Sequence, residues 1–340
     1  MKPERRGRRL ELGRLPSSCS FESVREVDGD TEHSDHFSLT VYALPQKRAP
    51  YIHEIGVDDK PFGDRSFRED EDATAQVDYP SRSPLGDGLL GDHGRKSATV
   101  TAGCEGAAGS RPTSVSVRVG GEYKEEATDT DLRALAQMAR KATADAARRL
   151  GCKTTLPELP ARLTMPSLDL GPAESGQGTC GWYASMLRGT AERGRLPDRS
   201  VGAPTASATR GESCVLAMSP DGVRRIFPEL TPAERGGDDA RSALTRRPWW
   251  IRTQSYFGDE AEATMVTHDY SAKPVTVLGA GRDRTILYAS ATCQGRPAAF
   301  TMNADATYSR VLGGRTAEVF KAYVGEAAAR RGCTDLKLPE

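Results

Sequence analysis

The sequence predicts an α+β protein of two homologous modules, each a small, mainly antiparallel sheet carrying one C-terminal helix. Three observations predict it. The stretch from Cys293 to Cys333 reads as strand, loop, amphipathic helix and a cysteine just past the helix end, and the stretch from Cys104 to Cys152 repeats that order. Both helices carry a single apolar stripe at three- and four-residue spacing. Elsewhere, short runs rich in β-branched and aromatic residues lie between Gly, Pro and Asp clusters, as strands do.

The cysteines set the alignment. They stand at 19, 104, 152, 180, 214, 293 and 333. Aligned from the C-terminal end, Cys152 pairs with Cys333, Cys104 with Cys293 and Cys19 with Cys214. The segment SSCSFESV resembles ESCVLAMS, and a glycine turn precedes both SATVTAGC and ILYASATC. The first module is expected over 1–160 and the second over 161–340. A counterpart of Cys180 would fall before residue 1, so the first copy reads as truncated, with an export signal or membrane anchor missing ahead of it.

Taken in order, residues 1–18 form a basic lead without an apolar segment behind it, unlike a working export signal. A strand is expected around Phe37 to Leu44, and PYIHEIGV is strand-like. Residues 58–96, acidic and rich in Gly, Pro and Asp, read as exposed loop. Strands near Ser97 to Ala102 and Thr113 to Val119 lead to a helix with Thr128 or Asp129 as N-cap. Leu132, Leu135, Ala139, Ala142, Ala146 and Leu150 make its stripe, and Gly151 ends it. A Pro-rich join follows, with a short strand possible at Leu156 to Leu159. After Cys180, GWYASMLRG fits strand or helix, and 189–212 reads as loop. Strands are expected at Cys214 to Met218, Trp249 to Tyr256, Lys273 to Leu278, Arg284 to Ala291 and Arg296 to Met302. The last helix buries Val319, Phe320, Tyr323, Val324 and Ala327 and ends at Gly332.

Lengths predict the covalent staples. A strand of eight to ten residues and a helix of about twenty each cover roughly 30 Å. A chain leaving Cys104 along a strand and returning along the helix therefore comes back to Cys104. Disulfides Cys104–Cys152 and Cys293–Cys333 follow, Cys180–Cys214 is the remaining pair, and Cys19 is left unpaired and open to dimerisation. Disulfides in turn imply an extracytoplasmic setting, secreted or membrane-anchored. Any membrane attachment would come through the missing N-terminal anchor, because no window reaches the roughly 18 apolar residues of a spanning helix.

Composition excludes more than it assigns. Apolar residues make up 37% of the chain and aromatic residues 6%, so each core must be built largely from Ala, Val and Leu. Lysine plus arginine equals aspartate plus glutamate at 47 each, which argues against nucleic acid as a partner. The cysteines show no zinc spacing. Nucleophile-elbow, HExxH and phosphate-loop motifs are absent. LGAGRDR at 278–284 lacks the third glycine of a dinucleotide fingerprint and reads as a hairpin turn. Asp28, Asp30, Glu32, His33, Asp35 and His36 are dense enough to hold a cation, but the twelfth loop position is Leu39 rather than Glu; the cluster reads as a solvated turn. The run Glu69 to Asp72 reads as solvated as well. Trp249 and Trp250 should face opposite sides of one strand, with one in the core. The other, beside Arg252, is a possible contact for a carbohydrate or protein partner.

Gly178 to Trp182 (GTCGW), Ala291 to Phe300 (ATCQGRPAAF) and Phe320 to Pro339 (FKAYVGEAAARRGCTDLKLP) resemble the signature of uncharacterised actinobacterial two-repeat cell-envelope and secreted proteins. The resemblance covers the second half well and the first half loosely, and it implies no established activity. The expected function is that of a non-enzymatic envelope or secreted protein binding a partner or ligand, with no cofactor. The alternatives are an envelope hydrolase using carboxylates in a cleft between the modules, and a structural spacer.

Overall fold

The computed structural model describes residues 11, 15–27, 30–44, 53–55, 60–63, 67–68, 70–104, 112–124, 126–268 and 271–339. It has the α+β architecture expected. Along the chain run β1 (Ser17–Val27), β2 (Asp30–Leu44), β3 (His53–Ile55), β4 (Ser83–Pro84), β5 (Gly91–His93), β6 (Ser97–Gly103), β7 (Ser114–Glu122) and α1 (Asp129–Arg149). Then come β8 (Gly171–Pro172), α2 (Gly181–Gly189), β9 (Arg199–Gly202), β10 (Gly211–Ala217), α3 (Pro220–Ile226), α4 (Pro232–Arg235), α5 (Ala240–Thr245) and β11 (Trp250–Phe257). The remainder is α6 (Asp259–Glu262), β12 (Thr264–His268), β13 (Ser271–Pro274), α7 (Val275–Leu278), β14 (Gly281–Asp283), β15 (Ile286–Cys293), β16 (Arg296–Ala304), α8 (Ala306–Leu312), α9 (Arg315–Arg330) and β17 (Cys333–Lys337).

The chain divides into two compact units. Unit 1 is Met1–Pro50, Ser83–Met165 and Ala206–Thr209; unit 2 is Tyr51–Arg82, Pro166–Thr205 and Arg210–Glu340. Residues 51–82 thus belong with the second unit, although the chain reaches them before the sequence boundary at 160.

Unit 1 is an antiparallel sheet in the order β1-β2-β7-β6-β5-β4 with α1 against one face. Alternation decides which face. Val115, Val117 and Val119 of β7, with Ala98 and Val100 of β6, join Leu132, Leu135, Ala136 and Ala139 of α1 in one core. Ser116 and Thr101 on the opposite face bond to each other at 2.8 Å. Thr128 caps α1 through a reciprocal bond with Asp131. Gly151, at a positive φ of 74°, ends the helix and lets Cys152 turn back to Cys104.

Unit 2 holds the larger sheet, β14-β15-β16-β11-β10-β9-β8, with β17 also on β15. A small sheet, β13-β12-β3, accompanies it. Both faces of the large sheet are covered. On one face, α2, α3, α8 and α9 supply Tyr183, Val223, Tyr308, Phe320, Val324 and their neighbours to the main core. On the other face Tyr256, Tyr288 and Ala299 pack with Ala261, Val266 and Val275, while Val215, Ala217 and Trp250 pack with Phe62, Val77 and Leu170.

The two sheets share a register measured from their cysteines. In unit 1, Ser18 precedes Cys19 and stands opposite Thr40, which faces Arg118, which faces Thr99, five residues before Cys104. In unit 2, Ser213 precedes Cys214 and stands opposite Gln254, which faces Thr301, which faces Tyr288, five residues before Cys293.

Several local expectations give way. The segment read as exposed loop over 58–96 contains β4 and β5 and buries Phe62, Ala73, Val77, Leu85 and Leu90; few apolar residues suffice because each is an anchor. Leu156 to Leu159 forms no strand: Arg140 of α1 donates to the carbonyls of Leu156 and Pro157 instead. Lys273 to Leu278 splits, with β13 ending at Pro274 and α7 beginning at Val275, since proline brings no N–H to a ladder. GWYASMLRG is helix, and the loop over 189–212 contains β9. The hairpin in LGAGRDR is real, with Arg284 at a φ of 51° in its turn between β14 and β15.

Candidate functional site

The covalent frame comes first. Cys104–Cys152, Cys180–Cys214 and Cys293–Cys333 are bonded, and Cys19 is a free, exposed thiol. These are the three predicted pairs. Each of two of them ties the end of a long helix, α1 or α9, back to the strand that leads into that helix through a hairpin.

Within unit 2, α9 is held by polar contacts as well as by its disulfide. Tyr323 and Ser255 share a hydrogen bond of 2.6 Å inside the core. Burial pushes the Tyr323 phenol well above its usual range, with the Glu212 carboxylate adding to the effect and the Ser255 bond opposing it. Glu212 itself, on the edge of β10, is buried, which raises its pKa. Hydrogen bonds and charge from Arg330 and Arg331 outweigh that and hold the carboxyl below its ordinary value.

The opposite face of the same sheet carries polar rows where β-sheet alternation would place core. Ser213, Gln254, Thr301 and Tyr288 stand in cross-strand register on β10, β11, β16 and β15. Beside them lie Arg252 and Asn303, opposite each other on β11 and β16. Thr301 and Asn303 are fully buried and Gln254 is 8% exposed; Ser213, Arg252 and Thr285 at the margin are half-buried. Ser81 donates to the Ser213 carbonyl and shares a hydrogen bond with its hydroxyl, both at 2.9 Å. Thr285 donates to Asn303 Oδ1 at 3.0 Å. Gln254 Nε2 donates to Tyr256 Oη at 2.9 Å, while Gln254 Oε1 is buried without a hydrogen-bond partner. An unpaired buried acceptor costs about 1–3 kcal/mol. At the same register in unit 1 stands Thr40, whose hydroxyl lies 3.2 Å from that of Ser18.

A second polar cluster closes the end of β16. Asp305 caps α8 by accepting from the Tyr308 amide at 2.9 Å. Asp238 accepts from the Thr307 hydroxyl and, at 3.2 Å, from Arg247. Burial pushes Asp305 up to about 6, with the Asp238 charge adding to the rise and the backbone bonds from Tyr308 and Thr307 opposing it.

Other expected contacts are placed differently. Trp249 and Trp250 are both buried, at 0% and 4% exposure. Trp249 stacks on Tyr308 at 5.4 Å, and Trp250 joins the cluster of Phe62 and Leu170. They do face opposite sides, but each side of this sheet has its own core, so neither indole is a surface contact. Arg252 alone of that trio adjoins the polar rows. Asp72 of the acidic run pairs with Arg199 at 2.6 Å and caps the Thr74 amide; Glu69 lies outside the described residues. Of the Asp28–His36 cluster, Asp28 lies outside them too, and the stretch from Asp30 is strand rather than turn. Among the described residues no group of three or more His, Cys, Asp or Glu is placed to hold a metal ion. No helix among them is long and apolar enough to cross a membrane. Gln254 escapes a sequence reading because polar residues stand on both faces of WIRTQSYF, so neither face is marked as core. Comparison with family models, with curated proteins and with solved structures finds no match to this chain.

Proposed function

We propose that this is a non-enzymatic binding protein of the cell envelope or extracellular space, built from two copies of one disulfide-stapled module. The observation that carries the binding reading is the margin of the two polar rows in unit 2, where Ser213, Arg252 and Thr285 are half-buried while Gln254, Thr301 and Asn303 behind them are buried. Hydroxyl, amide and guanidinium side chains stand in register in those rows, with no carboxylate in register among the described residues, which suits holding a ligand by hydrogen bonds rather than exchanging protons with it. Three disulfides support the oxidising compartment. The shared register from Cys19 and Cys214, and from Cys104 and Cys293, supports the two-copy reading and agrees with the resemblance to actinobacterial two-repeat envelope proteins. The partner is a carbohydrate or a protein.

The hydrolase reading has one observation in its favour, the raised Asp305 near Asp238. Both carboxylates, however, are engaged by α8 and its flanks, as caps are. The test of compartment is alkylation and mass spectrometry of the protein isolated from its native cell. One alkylated cysteine, Cys19, is expected. Seven would overturn the extracytoplasmic reading.

A further inference from the structure

We infer that the flank of unit 1 beside α1, centred on Cys19, is a docking site for a cysteine-bearing helix of a partner polypeptide, held there by a mixed disulfide. This goes beyond the polar rows of unit 2 and rests on the two-copy reading, because unit 2 has such a helix at the same register. Cys214, the counterpart of Cys19, is bonded to Cys180, and α2 begins at the next residue. From there α2 packs on α9, with the Trp182 ring 5.4 Å from that of Tyr323. Cys180, Trp182 and Tyr183 all join the main core. Beyond β10 the sheet continues into β9, where Gly202 stands opposite Cys214.

Unit 1 has the receiving half of that arrangement. Cys19 stands opposite Leu39, which faces Val119, which faces Ala98, so its side chain lies on the face that carries α1. The helix packs mainly over β6 and β7, and Cys19 beyond it is exposed. On the same face Leu39 is half-buried, as are Phe21 and Phe37, which stack at 5.2 Å. Ala142 stands ten residues before Cys152 as Tyr323 stands ten before Cys333; the tyrosine is buried and the alanine half-buried. Four residues earlier, Val319 is fully buried and Met138 half-buried. Among the described residues no strand pairs with the outer edge of β1, and an unpaired edge is a template for an added chain. The occupant therefore needs a thiol to meet Cys19, then aromatic side chains to lie over Leu39 and the space that Ala142 leaves. A second copy of this chain would present Cys19 from a strand and leave that flank of α1 bare. The bond forms by exchange: the Cys19 thiolate attacks a partner cysteine held as a disulfide with a small thiol. The new S–S bond forms, the old one breaks, and the small thiol leaves with the proton, so no outside oxidant is consumed.

The test offers the full, disulfide-intact chain a synthetic peptide of residues 176–190, its cysteine held as a glutathione disulfide, in competition with a scrambled peptide of the same composition. Mass spectrometry at exchange equilibrium should find the native peptide on Cys19 in about tenfold excess or more, the gain from one buried aromatic contact. A peptide carrying Trp182→Ser should lose that preference, and because the change lies in the peptide, folding of the chain is not at stake. Ala142→Arg in the chain should lower the preference while leaving the thiol in place. Equal partition of native and scrambled peptides, a preference that survives Trp182→Ser, or a Cys19–Cys19 dimer that outcompetes the peptide would overturn the proposal. In the native-cell assay, chain carrying its partner gives no alkylated cysteine and chain without it gives one. Both differ from the seven that would overturn the compartment, so the two readings fail separately.

Discussion

Arg330 meets Glu212 as a fork, with Nη1 2.9 Å from Oε1 and Nη2 2.6 Å from Oε2. Arg331 adds a third bond at 2.5 Å while its guanidinium lies 4.2 Å from the centre of the Phe257 ring. The last turn of α9 is thereby fastened to the edge of β10, with cations where the helix carbonyls favour them.

Removing one side of a buried pair strands the other. Glu212→Gln should therefore cost about 3–5 kcal/mol of unit 2 stability, read by denaturant unfolding at neutral pH. Because the folded pKa of Glu212 is lowered, its contribution is present above the unfolded value. It is lost as pH falls through the folded one, so the gap between native and variant should close in acid. A gap that persists unchanged in acid would show that the charge is not what holds α9.

Asp305 has the opposite sign. Its folded pKa is raised to about 6. Its contribution is present below the unfolded value and falls away as pH rises through 6, by roughly 3 kcal/mol for a shift of about two units. Asn caps a helix as well as Asp does. Asp305→Asn should thus stabilise the protein at neutral pH and flatten its stability between about pH 4 and 7. Thermal unfolding across that range measures it, and parallel profiles for native and variant would refute it.

The disulfide after α9 closes a loop with a sequence separation of 40. Replacing Cys293 and Cys333 by Ser together should cost about 3–4 kcal/mol on the chain-entropy account. Protection of α9 amides from hydrogen exchange should drop with it. Since Glu212 also fastens that helix, the loss in the triple variant with Glu212→Gln should exceed either alone; a triple variant no weaker than the worse of the two would mean the fastenings do not act in parallel.

Tyr323→Phe removes a single hydroxyl from the core and leaves Ser255 without its 2.6 Å partner. The expected loss is about 1–2 kcal/mol, with the packing of Phe300 and Trp182 around the ring retained. Unfolding of the variant with no measurable change would mean that the Ser255 hydroxyl finds another acceptor.

The helices were legible because their stripes repeat at helical spacing. Leu132, Leu135, Ala139 and Ala146 of α1 and Val319 to Ala327 of α9 are buried as read, while Ala142 and Leu150 are half-buried and Thr143 takes the core position beside Ala142. Strand positions were legible where one face is apolar, as in β7, where Val115, Val117 and Val119 alternate with Ser114, Ser116 and Arg118. They were obscure where both faces are covered. In β11 the alternation vanishes, which hid both the burial of Trp250 and the placement of Gln254 beside Thr301.

By itself the sequence determined the α+β class, the two long helices and all three disulfides. Those depend on local periodicity and on the reach of strands and helices, quantities that residues close together in the chain control. The tertiary structure alone decided that residues 51–82 belong with the second unit, that the large sheet is covered on both faces, and that Glu212 meets Arg330 across a sequence separation of 118. Such relations depend on strand order and register, which join residues from opposite ends of a module and leave no periodic mark in the chain.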